Sequence, residues 1–155
     1  MRMFALLVLG MWLGAMLFFA IGVAPHLFNV LEPVDGGRVL AGQVAGHSLR
    51  TLHTLGLVCG LVFLAASGIA NKQVAMRQHF LMLVMLAVTL LSQFGVAPSI
   101  ESLRSDLGKV SVSELPPSDE RRVTFERLHR TATLLEAFTF VLGLVVFSAA
   151  ARRRD

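Results

Sequence analysis

Charge is what this sequence has least of. Of its 155 residues only 15% are charged, against about a quarter in an ordinary soluble domain, while 55% are hydrophobic and the mean hydropathy is +0.70. Cysteine is nearly missing too: the lone Cys59 cannot form an internal disulfide, so no disulfide scaffold is available, and a small buried apolar side chain is the simplest reading of it. There is no P-loop, no dinucleotide glycine motif, no His-Glu-x-x-His and no Cys-x-x-Cys. A soluble-type catalytic site is therefore not supported, and a non-enzymatic role is favoured over an enzymatic one. The pI near 10.6 reflects a formal excess of only +4. Most of that excess flanks apolar runs, where basic residues set topology and touch anionic lipid, so nucleic acid is not implied as a partner.

The charge is missing from four stretches. Residues 3–24, 51–70 and 80–97 hold none, and 131–151 holds only Glu136. About 20 apolar residues in a helix reach across a hydrocarbon core of about 30 Å. The runs are continuous rather than alternating and rich in Leu, Ala, Met and Gly, which argues against strands. The expectation is an all-α integral membrane four-helix bundle forming one domain over 1–155, with a lipid bilayer as its surroundings. Its spans are 3–24, 51–70, 80–97 and 131–151, and its extramembrane loops are 25–50 and 98–130. The first run is too long for a signal-peptide core, and its best cleavage site, Val23-Ala24, is followed by Pro25. It reads as a retained span.

Four spans put both termini on one side, with Arg2, Lys72, Arg77, Arg152, Arg153 and Arg154 against the single acid Asp155. By raw count the long loops hold more basic residues, but these are balanced by acids. By density near the spans, both termini are cytoplasmic, in what we read as a bacterial inner membrane. In the long loops, Gly36 and Gly37 precede a short amphipathic helix. Pro116 and Pro117 make an exposed turn, and Ser118 caps a helix running unbroken into the last span.

"FAIGVAP" (19–25) and "SQFGVAP" (92–98) end the first and third runs. Leu52-His53 and Leu128-His129 open the second and fourth. The order recurs at nearly the same interval, which predicts two helical-hairpin repeats about a pseudo-two-fold along the membrane normal. Pro25 and Pro98 are expected to end or kink the odd-numbered helices, and Gly22 and Gly95 to admit a close neighbour.

The polar residues at membrane depth are the candidates for chemistry. A charge at mid-bilayer costs about 3 kcal/mol on insertion scales, so Glu136 is expected to face the bundle interior and a partner. His129, Thr133 and Glu136 share one helical face. Gln93 precedes Pro98 by as many residues as Glu136 follows Thr131, which puts the two at one level. His53 and His129 are expected at equal depth on diagonal helices, both pointing to the axis. Four imidazoles on the long-loop side, at 26, 47, 53 and 129, raise metal or haem as ligands. The reading is a protein that handles a small cation, a soft metal or protons near the long-loop face. A haem-binding oxidoreductase or electron carrier is the alternative. A structural subunit, packing on a membrane partner or on its own copies, is a third.

"GMWLGAMLFF", "LEPVDGGRVLAGQV", "FGVAPSIESLR" and "FERLHRTATLLE" resemble the transmembrane-protein-205-like family of membrane proteins. The most specific piece is Phe125, Leu128, His129 and Thr133, at the opening of the last span. The resemblance implies four helices and a membrane location, and no established reaction. The family pattern carries Asn seven residues after that His, where this chain has Glu136. A fainter similarity runs to copper-resistance protein D and to protoporphyrinogen-oxidase-like four-helix proteins, and it implies membrane histidines that work with copper or haem.

Overall fold

The computed structural model describes residues 2–67, 72–108 and 110–152. It is an all-α bundle, with no strand among the described residues. The helices are α1 (Arg2–Phe18), α2 (Ala24–Leu31), α3 (Gly37–Ser67), α4 (Lys72–Leu91), α5 (Ala97–Leu107) and α6 (Glu120–Ala151). Four continuous stretches are long and apolar enough to cross a membrane: Met3–Leu31, Gly37–Ser67, Met76–Leu107 and Glu120–Ala151. The expected end of the second span at 68–70 and the tail residues Arg153, Arg154 and Asp155 lie outside the described residues.

The stretches run antiparallel. His53 meets Gln93 near one end of the α3/α4 pair, and the Ser67 hydroxyl bonds Nε2 of His79 at 2.8 Å near the other. Each stretch packs on its sequence neighbours, and α6 closes the ring against α1. The second and fourth stretches are therefore diagonal. Helical periodicity sets the buried stripes. Leu9, Trp12, Leu13 and Met16 of α1 meet Leu52, Cys59 and Phe63 of α3, Met82, Met85 and Leu86 of α4, and Val146 of α6. Outward stand Phe4, Leu7, Met11, Leu61, Phe80, Leu83, Leu134 and Val141. Exposed apolar surface along α1, α3, α4 and α6 suits lipid as solvent and would be untenable in water.

Lipid gives these helices no hydrophobic reason to associate, so close packing through small residues has to hold them together. Gly56 lies so close to Trp12 that a Cβ there would sit 2.4 Å from the indole ring. At Gly143 a Cβ would sit 2.4 Å from Leu13 Cδ2 and 3.0 Å from Met85 Cε. One glycine thus seats α6 against both α1 and α4.

Three sequence expectations need correction. First, of the two outcomes expected for the odd-numbered helices at Gly-Val-Ala-Pro, an end or a kink, the end does not occur. A π-helical turn precedes each Ala-Pro, Phe19–Val23 in the first stretch and Ser92–Val96 in the third, and the helix then continues to Leu31 or Leu107. The Ala24 N–H donates to the Phe19 carbonyl and the Ala97 N–H to the Ser92 carbonyl, each five residues back. The widened turn accommodates a proline that has no N–H to give. Most of the expected loops 25–50 and 98–130 is consequently helical. Second, Gly22 and Gly95 do not admit a neighbouring helix. A Cβ at either would meet its own helix four residues back, Phe18 at 3.2 Å or Leu91 at 3.2 Å. Third, α6 is capped by Asp119, not Ser118. Asp119 has extended backbone, and its carboxylate accepts from the Arg121 N–H at 2.9 Å.

The turn between α2 and α3 needs its glycine pair. Gly36 has φ +67°, and a Cβ on Gly37 would overlap the Leu31 carbonyl.

Candidate functional site

His53 lies on the inward stripe of α3 that continues through Gly56, Cys59, Gly60 and Phe63. Only 2% of its surface is exposed, so both ring nitrogens need partners inside the protein. They have them. Nδ1 bonds Oε1 of Gln93 at 3.0 Å, and Nε2 bonds Oε1 of Glu136. Gln93 comes from the π turn of the third stretch. Glu136 continues the stripe that α6 buries at Thr139, Gly143, Val146 and Ala150. Ser92, also in the π turn, donates its hydroxyl to Glu136 Oε1 at 3.4 Å. The Gln93 amide nitrogen faces Thr54 Oγ1 at 3.5 Å. Helices two, three and four thus each contribute a polar group to one buried cluster.

This network fixes the proton inventory. The Gln93 amide oxygen can only accept, so Nδ1 carries a hydrogen. Nε2 then meets a carboxyl oxygen across one shared proton: either imidazolium faces carboxylate, or neutral imidazole faces carboxylic acid. In both states the pair is electrically neutral and holds one proton between its two groups. A buried ion pair depends on further hydrogen bonds to its atoms: here Gln93 takes the other ring nitrogen, and Ser92 adds a second donor to Glu136 Oε1.

A cavity of about 460 Å³ opens beside the pair, within the size range of small-molecule sites. It lies between α1 and α6, with α3 and α5 as its sides. Facing alanines make the room: Ala20 and Ala24 on the first stretch, Ala132 and Ala137 on α6. His53, Glu136, Thr133 and His129 line it, and so do three charged residues not singled out from sequence, Arg50, Glu101 and Arg104.

Not every sequence candidate joins the cluster. Thr133 lines the cavity, but its hydroxyl donates to the His129 carbonyl of its own helix at 3.0 Å. His129 is exposed and stacks on Phe125 with ring centroids 6.0 Å apart. It is not at the depth of His53. Since His53 meets Glu136, seven residues farther along α6, the two imidazoles stand about 10 Å apart along the axis. The expected equal depth fails because Leu-His sits at different heights on the two helices. His47 is exposed and bonds the Gln43 carbonyl at 2.9 Å, and His26 is exposed. Both nitrogens of His53 are thus engaged within the protein, and His129 lies about two turns away. Among the described residues, no three His, Cys, Asp or Glu side chains are grouped to hold a metal ion.

Residues 7–109 match the family described as a domain of unknown function, DUF4149. The chain belongs to that family. The matched segment spans the first three membrane stretches and holds His53, Ser92 and Gln93, while Glu136 lies beyond it. No curated protein and no solved structure matches this DUF4149 chain. The family defines a membrane protein and attaches no reaction to it.

Proposed function

We propose that this DUF4149 protein is a non-enzymatic membrane protein that binds and releases a proton at the His53–Glu136 pair, through the cavity on the long-loop face. The observation behind the reading is the pair itself: an imidazole and a carboxyl in hydrogen-bond contact within the bundle, nearly sealed on the His53 side and open to the cavity on the Glu136 side, where the side chain is 25% exposed. Intramembrane ionisable pairs of this kind serve proton relays, and histidine is the side chain that titrates between about pH 5 and 8. In the same reading the termini are cytoplasmic in a bacterial inner membrane, and the two π turns before Ala-Pro belong to two copies of one hairpin.

Difference infrared spectroscopy of reconstituted protein across pH 4 to 9 tests this. Wild type should show one carboxyl or imidazole band that titrates and is missing from both Glu136→Gln and His53→Gln. If those variants titrate like the wild type, the pair is structural and the proposal fails.

A further inference from the structure

Arg104 is a cation near the end of α5 for which the proton pair has no use. It lines the cavity. Its Nη1 donates to the Gly42 carbonyl at 2.6 Å, and its guanidinium lies 5.3 Å from the centroid of the Phe125 ring. Gly42 has to be small for this: a Cβ there would press on the guanidinium carbon at 3.2 Å. A carbonyl, an aromatic face and a glycine hold the group in place, yet it makes no ion pair among the described residues. Among the described residues the Gly42 carbonyl is the acceptor given for its five N–H donors, and Glu101, one turn back on α5, acts on it as a charged neighbour without closing an ion pair.

The charges around the cavity do not cancel. Arg50 and Arg104 stand against Glu101, and the His53–Glu136 pair is neutral as a unit, so with His129 neutral the lining carries one positive charge. Below Arg104 the walls are apolar, with Met16, Phe19 and Phe140. The side between α1 and α6 is open, since Leu17, Ala20 and Ala137 are exposed there on a surface that meets lipid. A ligand for this site needs one negative charge at one end, a hydrocarbon body, and a route in from the bilayer. A guanidinium fork suits a carboxylate, and about 460 Å³ holds one chain rather than a two-chain lipid.

We propose that the cavity binds a single-chain fatty carboxylate, with its head on Arg104 and its tail against Phe19 and Phe140. The proposal rests on Arg104 and the cavity, not on proton exchange at His53, and either can fail without the other.

Trp12, the one tryptophan of the chain, supplies the readout. It is buried in the core one turn before Met16, which lines the cavity. Stearate brominated along its tail, titrated into full-length delipidated protein in a nonionic detergent, should quench Trp12 saturably. The matching brominated alcohol should bind about tenfold more weakly, the size of one charge-assisted hydrogen bond. Arg104→Gln should bring the acid down to the level of the alcohol without changing the alcohol. Ala137→Phe should abolish saturable quenching by both. Should Arg104→Gln fail to fold, Arg104→Lys keeps the charge and loses the fork, and it should still weaken the acid selectively. Equal binding of acid and alcohol, undiminished acid binding in the Arg104 variant that folds, saturable quenching retained in Ala137→Phe, or displacement of stearate by phosphatidylglycerol as readily as by oleate would each overturn the proposal.

Discussion

Gln93 accepts a hydrogen bond from Nδ1 of His53 at 3.0 Å and thereby decides what Nε2 must do. With one ring hydrogen committed to an amide oxygen, the other nitrogen can only share a proton with Glu136. The chain has thus built from three helices a site where one proton lies between two groups, and the pair is neutral while it holds that proton.

Removing half of this pair should cost more than removing all of it. Glu136→Leu leaves a buried imidazole facing hydrocarbon, and the expected loss is about 3 kcal/mol of unfolding free energy. Glu136→Gln keeps a hydrogen-bonding oxygen and should lose less than half of that. His53→Leu combined with Glu136→Leu should recover part of the single-variant loss, because no unpaired polar group then remains. Denaturation in mixed detergent micelles reads all three, and a double variant no more stable than Glu136→Leu would refute the account.

Trp12 and Gly56 make the tightest aromatic contact in the core. A methyl at Gly56 would lie 2.4 Å from a buried, rigid indole, so α1 and α3 must move apart. Gly56→Ala should cost about 1–3 kcal/mol and shift the Trp12 emission. At Gly143 the closest atom is the end of a leucine side chain, Leu13 Cδ2. Gly143→Ala should therefore cost less. Thermal unfolding of the two variants gives the order, and the reverse order would show that α6, not α3, sets the bundle's tightest seam.

At the head of α6, Asp119 is held at about 2, below the ordinary carboxylate value of 3.8, because its carboxylate accepts hydrogen bonds from the Arg121 side chain and backbone. A carboxylate with a depressed folded-state value stabilises the protein above its unfolded value and loses that contribution as pH falls through the folded one. The cap should contribute fully above about pH 4 and fade towards pH 2. Asp119→Ala should accordingly be less stable than wild type at neutral pH, and the gap in melting temperature should close on acidification. A gap independent of pH would mean that the carboxylate's charge is not what caps the helix.

Hydropathy alone marks out the four spans, because an uncharged run long enough to cross a bilayer has few other uses. Glu136 and Gln93 also stand out, as polar groups at matching depth, and the repeat draws attention to His53. The features that sequence does not reveal arise from backbone and volume. A π turn depends on where an N–H goes when a proline comes next, and the letters Gly-Val-Ala-Pro alone suggest a helix end. Arg104 and Glu101 look like loop residues once the third helix is thought to stop at Ala97, so their place in the cavity wall is hidden by the same error. The cavity itself is a deficit of volume, and its trace in the sequence is the run of alanines at 20, 24, 132 and 137. His129 misleads because a repeated dipeptide does not carry its height on the helix with it.

The π turns give the sharpest test of how the proton site is assembled. Ser92 and Gln93 both sit in the turn that ends at Val96, and both reach the His53–Glu136 pair from it. Pro98→Ala restores an N–H, which can take up the carbonyl four residues back and let the turn relax to α geometry. Relaxation by one residue rotates the helix on the N-terminal side of the turn by about 100° relative to the helix on its C-terminal side, which carries Gln93 and Ser92 off the pair. Pro25→Ala has the same local effect in the first stretch, where the π turn touches the cavity through Phe19 and Ala20 but not His53. Nitrogen NMR of labelled imidazole should therefore show the Nδ1 resonance of His53 shifted in Pro98→Ala and unmoved in Pro25→Ala, with both variants folded. If Pro98→Ala leaves that resonance in place, packing by α3 and α6 holds Gln93 on the histidine and the proline is dispensable to the site. If both variants shift it equally, the change is a general loosening of the bundle, and the π turn has no specific part in aiming Gln93.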